Sequence, residues 1–352
     1  AMALGAYFKN VFPIISSTGI ALAVVISVSL IHSKSKTVGS YFQQIFTILK
    51  VLLIAILIVC GLFLAQPQQL GFIPSTTDVN LIFSSPFAIS LVYVTYSYSG
   101  WNAAVYLASE IEEPEKNLPR SLIGGTLIVT GLYLLLNFIF LHTTPINKLV
   151  GEVEIGYIAA NHIFGNFGAK IMATLISFGL ISSISSMVLA GPRVTQAIGE
   201  DIPLFKMLAR KNSQGIPYLA ILVQLFIVTV LILSSSFEAV LTYLGFTLTL
   251  SSFITVLGVF VYRFRYPEAH RPYQTWGYPF TPLIFLGISL WMLVYLLIDK
   301  PVESLTGMAT LLVGLGVYFI ASKNNLGWSS IEDSYYVSAS KGNQKNTQFN
   351  EE

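Results

Sequence analysis

Charge is what this sequence lacks. Only 10% of its 352 residues are Asp, Glu, Lys or Arg, against roughly 25% in soluble globular domains, while 54% are hydrophobic. So few charges cannot clothe a water-facing surface, which excludes a soluble globular protein and leaves the lipid bilayer as solvent. Cysteine is nearly absent as well. Cys60 stands alone inside an apolar stretch, so neither a disulfide framework nor a cysteine metal cluster is available. The four histidines, His32, His142, His162 and His270, fall at helix ends or in loops. None has a Cys, Asp or second His at metal spacing, so no metal site and no cofactor is expected. Nor is a nucleic-acid partner.

What is present is a series of apolar runs of about 20 residues, each long enough to span ~30 Å of hydrocarbon. They place nine crossings, at 13–31, 39–65, 81–108, 121–141, 170–192, 216–236, 239–262, 278–298 and 302–322. The runs are continuous and not ten-residue alternating strands, so the expected fold class is an all-α polytopic membrane protein of one transmembrane domain over 1–322. Loop charge sets the orientation. Lys34, Lys36, Lys116, Arg120, Arg193, Lys206, Arg210, Lys211, Arg263, Arg265, Arg271, Lys323, Lys341 and Lys345 lie on alternate loops and the tail, against only Lys9, Lys148, Lys170 and Lys300 on the other side. The basic side is expected in the cytoplasm with the C-terminus. Residues 323–352, rich in Ser, Asn, Gln, Lys and Glu, read as a disordered cytoplasmic tail. An outside N-terminus that starts at Ala1, without a basic leader, leads us to expect missing upstream sequence. Residues 1–8 then read as the outer end of an earlier helix, or else as a short amphipathic arm.

The third span is the unusual one. It carries Tyr96, Ser97, Tyr98, Ser99, Gly100, Trp101 and Asn102 at its centre, polar and weakened by glycine. Polar interruptions survive in a membrane only where they are buried or line a cavity, which makes this segment either a substrate site or a kinked packing helix. Pro114 and Pro119 are expected to stop helix propagation in the charged connection 109–120 that follows. In the loop 142–169, residues 156–164 are expected to form a short helix lying at the interface. Lys50 sits about 15 Å deep in the second span, at 1.5 Å per residue. It either faces the bundle interior with a partner or snorkels to the surface from a shallower position. In the fifth span Ser182, Ser185 and Ser186 share one helical face, as a polar path or as helix contacts.

Several blocks resemble the amino acid–polyamine–organocation superfamily of permeases, particularly its L-type amino acid transporter branch. The sequence YSYSGWNAAVYLASEIEEPEKNLPRSL at 96–122 looks like that family's sixth helix and its cytoplasmic exit. QQIFTILK at 43–50 resembles the start of the fifth, AGPRVTQAIGEDIPLF at 190–205 the end of the eighth, and RPYQTWGYPFTPLIF at 271–285 the start of the eleventh. The resemblance covers nearly the whole chain and implies a leucine-transporter-like inverted-repeat bundle lacking its first two helices and most of the third.

By that resemblance the chain is a secondary active transporter, moving amino acids by alternating access. Backbone carbonyls around Tyr96, Ser97 and Ser99 would take the substrate's α-amino group, within a site formed by Tyr96, Ser97, Tyr98, Ser99, Gly100 and Trp101. Lys50 would occupy the place of a coupling sodium ion near Ser182, Ser185 and Ser186, leaving proton or sodium coupling open. With no buried carboxylate to balance a cationic side chain, the expected substrate tilts toward neutral amino acids. Whether a partner subunit joins it stays open. The competing readings are a membrane-embedded lipid or glycan transferase, which lacks an acid-base constellation here, and a channel, which lacks a filter motif.

Overall fold

In the computed structural model, residues 1–34, 39–71, 76–106, 111–269, 271 and 273–323 are described. The tail expected to be disordered lies outside them from residue 324 on. Among the described residues twelve α-helices follow one another: α1 (Met2–Val11), α2 (Ser17–Lys34), α3 (Gly39–Leu64), α4 (Thr76–Ile82), α5 (Ser85–Ser97), α6 (Asn102–Tyr106), α7 (Pro114–Thr143), α8 (Ile155–Asp201), α9 (Tyr218–Ser234), α10 (Phe237–Arg265), α11 (Phe280–Asp299) and α12 (Pro301–Lys323). Seven of these, α2, α3, α7, α8, α10, α11 and α12, are long and apolar enough to cross a membrane. Of the other two expected crossings, α9 is an apolar helix of 17 residues, and the described part of 81–108 is not one helix but the end of α4, then α5 and α6 with a break between them. The protein is an all-α polytopic membrane protein.

Its packing has the inverted character that lipid imposes. On α3 the exposed residues Ile45, Ile48, Leu52, Ile56, Val59 and Phe63 recur every three or four positions, a lipid-facing stripe opposite the buried Leu57 and Ile58. The buried face of α8 is built largely from small residues: Gly156, Ala159, Ala160, Ala169, Ala173 and Gly179. Small residues let helix backbones approach closely where no hydrophobic effect drives association.

The helices form two groups. In one, α1, α2, α3, α7, α8 and α9 pack around α8; in the other, α5, α10, α11 and α12 pack around α10. Their apolar clusters are separate. Leu57, Ile139, Ala160 and Met172 centre one cluster of the first group, and Val92, Phe246, Met292 and Leu296 centre that of the second. The broken span joins them, since α5 belongs to the second group while α6 contacts α7 and α8 of the first.

Two details differ from the sequence expectation. Pro114 and Pro119 do not stop a helix. Pro114 opens α7, where a missing N–H costs nothing, and α7 continues through Pro119. Ahead of them, Glu113 adopts a left-handed φ of 43° and the Asn117 side chain donates to the Glu112 carbonyl at 2.7 Å. The helix expected over 156–164 does form, as the first part of α8, which turns sharply at Gly165 where φ is +71°. One face of it, Gly156, Ala159, Ala160 and Ile163, is buried against the bundle, while Asn161 and His162 on the other face are exposed. The end of α1 holds its start, through the Gly156 amide donating to Tyr7 Oη and Asn10 Nδ2 donating to Glu154, both at 3.1 Å.

At the opposite helix corner, Lys300 donates to Glu238 at 2.9 Å, and this hydrogen bond holds its ammonium above the usual lysine range. Within the second group α5 and α10 touch at Gly245, where an added Cβ would lie 2.5 Å from Val92 Cγ1. A Gly245→Leu variant is therefore expected to lose about 1–3 kcal/mol by overpacking, seen as a lowered melting temperature in detergent. An unchanged melt would mean that the two helices can move apart there.

Candidate functional site

The break in the third span is a local consequence of its sequence. Helix α5 ends at Ser97, Tyr98 leaves helical geometry, residues Ser99–Trp101 form one 3₁₀ turn, and α6 resumes at Asn102. Serine hydroxyls compete for the backbone here: Ser97 Oγ donates to the Tyr93 carbonyl at 3.0 Å. Two tyrosines then brace the break against its neighbours. Tyr133 of α7 donates its hydroxyl to the Ser97 carbonyl at 3.1 Å, and Tyr98 donates to Thr130 of α7 at 3.1 Å. Their rings meet edge to face, with centroids 5.3 Å apart. On the other side, Tyr93 Oη and Thr242 of α10 share a hydrogen bond of 3.1 Å.

Of the residues expected at the site, Ser97, Gly100 and Trp101 are exposed, and Tyr96, Tyr98 and Ser99 are half-buried. An added Cβ at Gly100 would meet no atom within 4 Å. The Ser97 carbonyl keeps a second lone pair beyond its bond to Tyr133. Beside the break, Asn102 Oδ1 is buried and accepts no hydrogen bond among the described residues. A buried acceptor left without a donor is costly, and rare enough to mark a place where a water or ligand belongs. Asn102 lay in the polar centre of the span by sequence, but only burial distinguishes it.

Lys50 faces the interior. It lines a cavity of about 240 Å³ between α1, α3, α7 and α8, otherwise walled mainly by Leu53, Ile54, Leu136, Phe140 and Ile176. Its Nζ donates to Ser183 Oγ at 3.1 Å, and its stem passes over Gly179, where a Cβ would sit 3.2 Å from Lys50 Cγ. The hydroxyl that holds Lys50 is thus Ser183, one position off the face formed by Ser182, Ser185 and Ser186. Ser185 turns instead to His32 of α2, at 2.7 Å, and Ser186 donates to the Ser182 carbonyl at 2.9 Å. Ser183 had a legible signal: it lies four residues after Gly179, so a gap and a hydroxyl fall on the same face. Among the described residues no group of three His, Cys, Asp or Glu could hold a metal.

A broken apolar helix braced at the meeting of two helix groups, with a half-buried lysine in the larger group, is the geometry to set against known proteins. The family model described as amino acid permease matches residues 1–320. The chain belongs to the amino acid permease family. Among the permease's relatives, the serine/threonine exchanger SteT of Bacillus subtilis is 29% identical over 250 residues, covering 70% of this chain and 56% of the relative. The human b(0,+)-type amino acid transporter 1 is 28% identical over 273 residues, 76% of this chain and 55% of the relative. The mouse large neutral amino acids transporter small subunit 2 is 25% identical over 246 residues, 69% of this chain and 44% of the relative. The permease chain therefore spans about half the length of the curated relatives it matches. These relatives agree with the L-type branch that the sequence resembles.

Proposed function

We propose that the full-length protein is a secondary active transporter that carries amino acids, neutral ones by preference, across a cell membrane by alternating access, with its C-terminus in the cytoplasm. The observation that carries the substrate site is the break at Tyr98–Trp101 together with the unpartnered acceptor on Asn102. Interrupted helices offer carbonyl groups and helix ends for the charged ends of a zwitterion. Carbonyls around Tyr96, Ser97 and Ser99 receive the substrate's ammonium group, Asn102 Oδ1 adds a further acceptor, and Tyr96 or Trp101 closes over it. Because α5 and α6 belong to different helix groups, a ligand at the break touches both, as rocking of one group against the other requires. Lys50 serves as the coupling charge, with Ser183 as its partner. The inverted-repeat architecture is part of this reading. So is an amino acid substrate, in keeping with the names of the relatives, an exchanger and two transporters.

The test is amino acid binding and proteoliposome uptake by the full-length protein, in wild type and Asn102→Ala. Wild type is expected to show saturable uptake of neutral amino acids. Asn102→Ala removes an acceptor that contributes nothing to the fold, so its melting temperature is expected to hold or rise. Its dissociation constant is expected to rise about tenfold, the equivalent of ~1.4 kcal/mol. No saturable uptake of any amino acid by wild type would overturn the proposal. Unchanged affinity in the variant would remove Asn102 from the site.

A further inference from the structure

Arg271, residues 273–280 and the end of α10 have no part in the proposed transport site, yet they build one of their own. In its last turns α10 carries Arg263 and Arg265, and the loop returns with Arg271. Arg263 and Arg271 together border two adjoining clefts. One, about 450 Å³, is otherwise lined by Ala269 and Gln274. The other, about 380 Å³, runs along α10 past Tyr262, Val259 and Gly258 to Thr255. A third cleft shares Gly258 and Tyr262 and extends the apolar floor over Leu257 and Val261 beneath Arg265. Among the described residues no carboxylate lines any of the three. The one acidic residue of this stretch, Glu268, is exposed and borders none of them.

The two arginines are held in place with donors to spare. Arg271 gives Nη1 to the Pro267 carbonyl at 3.0 Å and Nη2 to the Tyr266 carbonyl at 2.7 Å, which fixes its plane. Its Nε is buried and without an acceptor among the described residues. Arg263 lies over the Tyr278 ring at 3.8 Å and gives one hydrogen bond, to Thr275 at 3.3 Å. A guanidinium has five N–H donors in a fork that fits phosphate oxygens, and a buried charged donor left empty is the more costly kind. The surroundings belong to the membrane boundary: Phe264, Trp276 and Tyr273 are exposed at the same end of the helix. Gly258 leaves the groove open, because an added Cβ there would meet nothing within 4 Å.

We propose that this is a binding site for an anionic phospholipid of the surrounding bilayer. The headgroup phosphate takes the Arg271 Nε–H and the free edge of Arg263, Gln274 offers its amide, and an acyl chain lies along α10 over Gly258. The charge is complementary, and the groove continues from the phosphate pocket into the lipid-facing surface of α10, as a free anion would not need. Loop charge places this end of α10 on the cytoplasmic side, whose leaflet carries anionic lipid.

Native mass spectrometry of the purified full-length protein tests it, with phosphatidylglycerol, phosphatidylcholine and inorganic phosphate as probes. Wild type is expected to retain phosphatidylglycerol about tenfold better than phosphatidylcholine. Gly258→Leu fills the groove without touching the fold, and Arg271→Gln removes the charge and the Nε donor, so each is expected to erase most of that preference. Melting temperature checks that each variant folds, and Gly258→Leu decides alone if Arg271→Gln does not. Equal retention of the two lipids by wild type overturns the proposal, as does undiminished phosphatidylglycerol retention in either folded variant. Displacement of phosphatidylglycerol by an equal concentration of inorganic phosphate overturns the lipid as ligand.

Discussion

Replacing Lys50 with alanine is expected to cut amino acid uptake by the full-length protein at least about tenfold, and to flatten its response to a pH gradient across the liposome. An ammonium at mid-membrane costs roughly 2.5–3.5 kcal/mol on insertion scales, and a chain that carries one needs a partner for it. Among the described residues its partner is a single hydroxyl, Ser183 Oγ at 3.1 Å, in a cavity whose other walls are apolar side chains apart from Tyr7. A serine satisfies one of three ammonium donors and supplies no counter-charge. Lys50 is thus poorly compensated where it stands, which suits a charge whose surroundings change during a transport cycle better than one that merely holds helices together.

Two further variants separate those roles. Lys50→Met keeps the stem over Gly179 and removes only the charge, so loss of uptake in both Ala and Met variants assigns the effect to the ammonium. Ser183→Ala leaves the charge and removes one hydrogen bond, of about 1.5–3 kcal/mol for a charged donor, so its loss of uptake is expected to be smaller than that of either lysine variant. Uptake and pH response equal to wild type in Lys50→Ala would remove Lys50 from coupling altogether.

The transmembrane helices were legible because lipid selects for uninterrupted apolar runs, and such a signal is carried within each segment. The break was legible for the same reason in reverse: Tyr-Ser-Tyr-Ser-Gly-Trp-Asn is too polar for a lipid-facing helix, and α5 ends within it at Ser97. Partners across the fold were not. Tyr7 and Gly156 are 149 residues apart, Lys50 and Ser183 are 133, and His32 and Ser185 are 153. Each depends on the rotation of two helices about their axes, which a single sequence does not specify when most faces of both helices are apolar. For α8 the serine periodicity drew attention to Ser182, Ser185 and Ser186, whereas space beside Gly179 decided which hydroxyl Lys50 reaches. Pro119 misled because proline reads as a stop. It stands five positions after Pro114, inside α7, where it removes one intrahelical hydrogen bond without ending the helix.

Glycine offers the sharpest separation of site from scaffold. Gly100→Leu is expected to lower amino acid affinity by more than about 100-fold, or ~2.7 kcal/mol, while leaving the melting temperature unchanged. The reason is geometric. An added Cβ at Gly100 would meet no protein atom within 4 Å, and its φ lies outside the left-handed region that favours glycine, so neither packing nor backbone requires glycine there. Inside a helical segment glycine is in fact destabilising by roughly 0.5–1 kcal/mol relative to alanine. A position that forgoes that gain, at the centre of a break and open on its outer side, is cleared for something that approaches the backbone from outside these residues. In the proposed site that is the substrate, and a leucine side chain would occupy its place. Gly245 is the matching control, because there the space is already filled by Val92, and Gly245→Leu is expected to lose stability first. Amino acid binding at wild-type affinity in a folded Gly100→Leu variant would show that the substrate does not sit at the break. Loss of folding in that variant would show that another part of the full-length protein packs on Gly100, and the glycine would then be explained by packing.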